Sequence, residues 1–443
     1  RGTLESLEQD LLPVAIGNPQ RPIYRKLLVE LYGSLAFGLM QSVRHGSPED
    51  AAAARATLTR IGGRAVKPLL DALADPDVGQ QRIAIDVLAY VQSKSAALPL
   101  LAYATGDADP ALRARAMIAC GALADGALVP KLSAVLFPEG GDAGGVGDVV
   151  AVAAVWALAR MHGAAPGAVA VLRRVAATGT PAMRALAVLG LGVAHDTASV
   201  ATIAEMARSS DAGNAVRAAA AHALGDLDAT ARVPALVELA EDSDDLPRRM
   251  AIGSLARMMA NAPKAPPWSA EAVQAMADAV FTARPDSTRG KSAAGLARTA
   301  VTALASLAVD RTGQSRVARE TLPVPEGTLD VDALLDALAP GDSSEADRTA
   351  ALVKFADPLQ RAALDALRTS GDRARAVLDA LGRGEGELLP FVTAEVHPGD
   401  EKARSVARSL TAALEPSIVP LARHPDPALR ARAIGLLVKS SSD

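Results

Sequence analysis

The sequence predicts an all-α fold, a stack of about ten helix pairs built from one repeated unit. Three observations carry that prediction. One eight-residue run occurs twice. Helix-opening prolines return at a step of about thirty residues. The apolar mass is aliphatic: half of the 443 residues are hydrophobic and only 2% are aromatic. Ala has the highest helix propensity, and its small side chain lets helices approach closely. A thick globular core would draw on Phe, Tyr and Trp as well.

The recurring run is Asp109-Pro110-Ala111-Leu112-Arg113-Ala114-Arg115-Ala116, repeated as Asp426-Pro427-Ala428-Leu429-Arg430-Ala431-Arg432-Ala433. Asp75-Pro76-Asp77-Val78 is a looser copy, with Asp75 standing 34 residues before Asp109. Met183-Arg184 and Val216-Arg217 fall at the place of Leu112-Arg113 and Leu429-Arg430. Further along each copy come Cys120, Leu191, Leu224 and Leu437, followed in the first three by Gly121, Gly192 and Gly225. Asp is an N-cap that accepts from free backbone N–H groups. Pro suits the first helical position, where an N–H is not needed. The glycines are expected to end the helix in the left-handed conformation. This unit is helix A.

Helix B carries its own opening: Val66-Lys67-Pro68, Leu98-Pro99, Val129-Pro130, Val233-Pro234, Leu389-Pro390 and Val419-Pro420. Pro68, Pro99 and Pro130 are evenly spaced, 31 residues apart. Each is expected to start a helix after a short turn.

A capped helix, a Gly-containing turn and a second Pro-started helix resemble the HEAT repeat family, and most closely its short bacterial form, the phycobilisome-lyase HEAT-like repeats. The resemblance covers most of residues 46–310 and returns at 387–443. It implies a right-handed α-α superhelix whose helix-B surface is the concave binding face. Residues 1–45 are then atypical capping helices, with one helix expected over Pro22 to Val43. Residues 46–310 form the main array, 311–330 a linker or long loop, and 331–443 degenerate repeats. Two insertions, 137–147 and 261–268, are expected as loop and extended connection.

A net charge of −4 argues against a general nucleic-acid surface. Cys120 is the lone cysteine, which excludes an internal disulfide and a cysteine metal site. No segment is long and apolar enough to span a membrane. The cytoplasm is favoured, with the periplasm or envelope as the location if a signal peptide has been removed ahead of Arg1. The composition suits a high-GC bacterial genome.

The candidate chemistry is thin. Gly144-Gly145-Val146-Gly147 lacks the Lys-Ser/Thr of a phosphate loop and reads as surface loop. Glu241-Asp242-Ser243-Asp244-Asp245 lacks the closing Glu of a calcium loop and reads as a solvated, helix-capping turn. The six histidines include no paired metal motif, and G-x-S-x-G is absent. Cys120 and Trp156 read as core. The ladder Arg113, Arg184, Arg217, Arg430 reads as structural, pairing with Asp of adjacent turns. Trp268 precedes Ser269, an expected N-cap, and either staples onto Val273 or anchors a partner.

The expected partner surface is therefore Trp268 with the helix-B residues Lys131, Arg173, Arg174, Glu205, Arg208 and Glu238, and Asp71 beside them. The predicted function is a non-catalytic scaffold for another protein or a multiprotein complex, without cofactor or nucleic acid. Two alternatives stand. The resemblance to lyase-type repeats implies chromophore attachment or base-lesion processing, and a missing signal sequence would imply an envelope component.

Overall fold

The structure is a computed structural model that describes residues 2–138, 148–163, 165, 167–227, 232–262, 264–281, 290–309, 322, 329–340, 343–369, 371–382 and 401–440. Every regular element among them is helical. The chain divides into two compact units, residues 1–196 with 319–331, and residues 197–318 with 332–443.

In the first unit, α1 (Gly2–Gly17), α2 (Pro22–His45) and α3 (Pro48–Ala72) lead into three helix pairs and one further helix. These are α4 (Val78–Val91) with α5 (Ala97–Thr105), α6 (Pro110–Leu123) with α7 (Val129–Leu136), α8 (Asp148–Arg160) with α9 (Gly167–Thr178), and α10 (Pro181–Val193), whose partner in the repeat falls in the second unit. Helix-A members form one row, α2, α4, α6, α8, α10, each packed on the next. Helix-B members pack beside them. The expected helix over Pro22 to Val43 is α2, and it stacks as the first member of the row.

The second unit continues the pattern with α11 (Val200–Arg208), α12 (Asn214–Asp226), α13 (Val233–Ala240), α14 (Asp245–Asn261), α15 (Ser269–Val280) and α16 (Gly290–Ala308). It ends with α17 (Val331–Leu338), α18 (Glu345–Lys354), α19 (Ala356–Thr369), α20 (Gly371–Gly382), α21 (Glu401–Ile418) and α22 (Pro427–Ser440). The A row here is α12, α14, α16, α18, and α11, α13, α15, α19 lie along the B row.

The caps form as the repeat demands. Asp109 Oδ1 accepts from the N–H groups of Ala111 at 2.9 Å and Leu112 at 3.3 Å, and Asp426 Oδ1 from Ala428 at 2.8 Å. In the earlier copy Asp77 is the cap, accepting from Gly79 at 2.9 Å, so the alignment of Asp75 with Asp109 is corrected by two residues. Asp75 is instead buried, receiving the Asp77 N–H at 3.0 Å and the Arg25 guanidinium at 2.8 Å.

Three further expectations are corrected. Gly121, Gly192 and Gly225 do not end their helices; they lie inside α6, α10 and α12. The left-handed residues are Gln92, Ala124 and His195, with φ near 50° (51°, 49° and 51°). The glycines matter for close approach. A Cβ on Gly121 would stand 2.7 Å from Ala157 Cα and 2.8 Å from the Trp156 ring, and one on Gly225 only 2.6 Å from Ser254 Cβ. Absence of a side chain lets α6 sit on α8 and α12 on α14.

Pro68 does not open a helix: it lies inside the continuous α3, where the missing N–H leaves one turn without its bond. No cap separates the two halves, so Gly62 and Gly63 stay helical. Val419-Pro420 opens a short 3-10 turn, Val419–Arg423, rather than a helix B. Leu389-Pro390, most of the 137–147 insertion and most of 311–330 lie outside the described residues. Pro99, Pro130 and Pro234 do stand in the first turn of α5, α7 and α13.

Packing follows composition. Val150 to Ala159 of α8 and Val216 to Leu224 of α12 are buried throughout. Trp156 is fully buried among them as core. Leu322 is buried as well, and its carbonyl accepts from Arg160 Nη1 at 2.6 Å.

Candidate functional site

The arginine ladder is a cross-bracing device. Arg113 Nε donates to the Ala104 carbonyl at 3.0 Å, Arg184 Nε to Ala176 at 3.2 Å and Arg217 Nε to Ala207 at 3.3 Å. Arg248 repeats it on Ala240 at 3.0 Å, and Gln81 Nε2 fills the same role on the Leu73 and Asp75 carbonyls at 3.2 and 2.7 Å. Each acceptor lies at the end of the preceding helix, where carbonyls have no helical partner. Arg217 also pairs with Asp242, so the acidic turn is partly a structural counter-charge. At Asp242 burial opposes ionisation, but the Arg217 hydrogen bond, the Asp244 N–H and the Arg217 charge outweigh it and hold the carboxyl below its usual range. Arg248 and Gln81 escape a search for the Leu-Arg pair because their neighbours vary.

The groups with chemical potential are enclosed. His222 is 2% exposed, with Nδ1 2.9 Å from Asp226 Oδ2. Arg257 Nη2 reaches Asp226 Oδ1 at 3.3 Å and Ser254 Oγ at 3.2 Å. Ser254 is fully buried and its hydroxyl donates to the Ala221 carbonyl at 2.8 Å. This Ser–His–Asp–Arg set ties α12 to α14; Ser254 and His222 are sealed from solvent, and only Arg257 and the edge of Asp226 reach it. Cys120 is also sealed, and burial pushes its thiol up to about 12, which keeps it neutral. In the first unit Tyr32 Oη donates to Glu8 Oε1 at 3.0 Å, and Arg64 Nη2 stands 2.8 Å from Glu8 Oε2, locking α1, α2 and α3 together.

The exposed residues lie where helix B was expected to carry them. In the first unit Lys131 is exposed on α7, and Arg173 and Arg174 on α9, which packs beside it. Arg173 grips Asp196 through two bonds, Nε–Oδ2 at 2.7 Å and Nη2–Oδ1 at 2.5 Å. Arg174 stacks its guanidinium 3.8 Å from the Phe137 ring centre. Both arginines are thus pre-positioned. In the second unit Glu205 is exposed on α11, and Arg208 pairs with Glu238 across α11 and α13 at 3.2 Å. Asp71 is half-exposed and pairs with Lys67 at 3.0 Å.

Trp268 is half-buried at the start of α15. It, rather than Ser269, occupies the N-cap place, its carbonyl accepting the Ala272 N–H at 3.1 Å. Beside it opens a cleft of about 370 Å³. Ala265 and Pro266 of the connection line it, with Ser269, Ala270 and Val273 of α15. Met259, Leu307, Lys354, Phe355, Pro358 and Arg361 complete its lining. Lys354 Nζ donates to the Leu307 carbonyl at 2.5 Å, which fixes the ammonium beside another lining residue. Gln274 Nε2 bonds the Pro358 carbonyl at 3.4 Å and ties α15 to α19. Of the 261–268 connection named from sequence, Ala265 and Pro266 line this cleft and Trp268 does not; the 354–361 residues, about ninety residues on, were not named, because only folding brings them together.

Residues 170–256 match the family model described as HEAT repeats. No curated protein matches the chain. Among solved structures, the complex of CpcE and CpcF of phycocyanin lyase from Nostoc sp. PCC7120 is 22% identical, covers 52% of this chain and 93% of its own, and gives a TM-score of 0.33. Human deoxyhypusine hydroxylase is 20% identical over 54% of this chain and 99% of its own, with a TM-score of 0.23. Kap121p is 11% identical over 91% of this chain and 48% of its own, with a TM-score of 0.38. Residues 170–256 thus match HEAT repeats, and the helical stack on either side of them carries the same cap, brace and helix pair.

Proposed function

We propose that this protein is a non-catalytic scaffold that binds another protein through its helix-B surfaces and the cleft beside Trp268. The observation that carries the reading is the division of labour between the two helix rows. Helix-A members such as α8 and α12 are buried almost along their whole length, whereas α7, α9, α11 and α13 keep charged side chains in solvent. Interfaces draw on Arg and Trp at such places. Arg173 and Arg174 are held by Asp196 and Phe137, so less side-chain entropy is lost when a partner engages them. The reactive groups, His222, Ser254 and Cys120, serve packing and bracing instead.

The test is affinity capture of the tagged chain from its native host after mild cross-linking and nuclease treatment, followed by mass spectrometry and stoichiometry. A stoichiometric protein partner, reduced by joint Arg173→Glu and Arg174→Glu substitution or by Trp268→Ala, supports the reading. A chain recovered alone, with substrate turnover or a bound chromophore, overturns it.

A further inference from the structure

We propose that the cleft between α15, α16 and the α18–α19 junction receives a partner-protein segment presenting one bulky apolar side chain beside a carboxylate. This rests on the scaffold reading and names what one part of that surface recognises. Met259, Val273, Leu307 and Phe355 give the cleft an apolar interior. Among the described residues its two charged lining residues are both cations, Lys354 and Arg361, and no carboxylate lines it. On a chain with net charge −4 that is a local reversal of sign.

The two cations are differently prepared. Lys354 spends one N–H on the Leu307 carbonyl and keeps two donors for an anion. Arg361 is exposed and makes no ion pair among the described residues. An apolar side chain entering the cleft therefore places an adjacent Asp or Glu within a doubly positive rim. The cleft is only partly enclosed, whereas a small-molecule site encloses most of its ligand. A side chain still attached to a polypeptide fits an open cleft, its backbone running over exposed Ala270 and Ala265.

The test uses calorimetry of the full chain with short N-acetylated Gly-Ser peptides carrying a central Phe flanked by Asp, the same peptide flanked by Lys, and decanoate. The expected result is saturable binding of the Asp-flanked peptide only. Arg361→Glu is expected to weaken it about tenfold and to admit the Lys-flanked peptide. Ala270→Phe fills the cleft at an exposed position and is expected to weaken it by a similar factor with both cations intact. Thermal melts of the two variants matching the parent exclude unfolding as the cause. Absence of saturable peptide binding, equal binding of both peptides, or binding of decanoate alone overturns the proposal. Partner capture separates the two readings. A stoichiometric partner held equally by the parent and Arg361→Glu leaves the scaffold standing and removes the cleft, whereas a parent chain that captures nothing removes the scaffold.

Discussion

At the residue scale, similar-looking side chains do different amounts of work, and burial decides which. Arg217 is a buried brace, bonded to the Ala207 carbonyl and paired with Asp242. Arg217→Met is expected to cost about 3 kcal/mol in urea unfolding, because it strands Asp242 and an orphan carbonyl. Arg208→Ala, at an exposed pair, is expected to cost less than about 1 kcal/mol. Glycines split in the same way. Gly121→Ala drives a Cβ into α8 and is expected to destabilise by about 1–3 kcal/mol. Gly63→Ala, in open space within α3, is expected to stabilise by about 0.5–1 kcal/mol. Both show in the denaturation midpoint. Sequence marked Gly121 and Arg217 as special through recurrence. It assigned the wrong physical role to the glycine, because a conserved place in a repeat looks the same whether it ends a helix or admits a neighbour.

Acid sensitivity belongs to this scale too. The Asp77 N–H is the largest influence on Asp75; burial opposes ionisation, and Arg25 and Lys26 help hold the carboxyl below its usual range. Asp242 is depressed as well, by the balance given above. A depressed folded value means the stabilisation is fully present above the unfolded value, about pH 4, and is lost as pH falls through the lower folded value. The urea midpoint should drop on acidification below about pH 4. Asp75→Asn should be less stable at neutral pH and flatten that slope; an unchanged slope would count against this assignment.

At the element scale, the periodic signals were legible and their boundaries were not. The A and B helices over most of 78–280 follow the sequence pattern because cap, Pro and apolar spacing act within one turn. Pro68 misled because a proline opens a helix only where a turn precedes it, and Gly62-Gly63 remain helical here. The N-cap offers a local test. Asp109→Ala is expected to cost about 1 kcal/mol. In a stack where each repeat meets only its neighbours, the loss of hydrogen-exchange protection should stay within α5 to α8. A loss spread over both units would contradict a nearest-neighbour stack.

At the scale of the whole molecule, the two rows of helices differ in burial, and the proposed scaffold places recognition on the more exposed B rows. The A rows are filled with Ala, Leu and Val and closed by glycine contacts. The B rows carry the pre-positioned arginines, and the second unit adds the cleft. Composition foretold the first half of that arrangement, since an aliphatic, aromatic-poor chain is suited to thin layers. It was silent on the second: the cleft joins Ala265 and Val273 to Lys354 and Arg361, a juxtaposition with no local signature. The most direct test is hydrogen–deuterium exchange of the chain alone and in complex with its captured partner. The scaffold account predicts new protection on α9, α11, α13, α15 and residues 264–268, with the A helices unchanged. Protection confined to the A helices, or none on forming the complex, would contradict it.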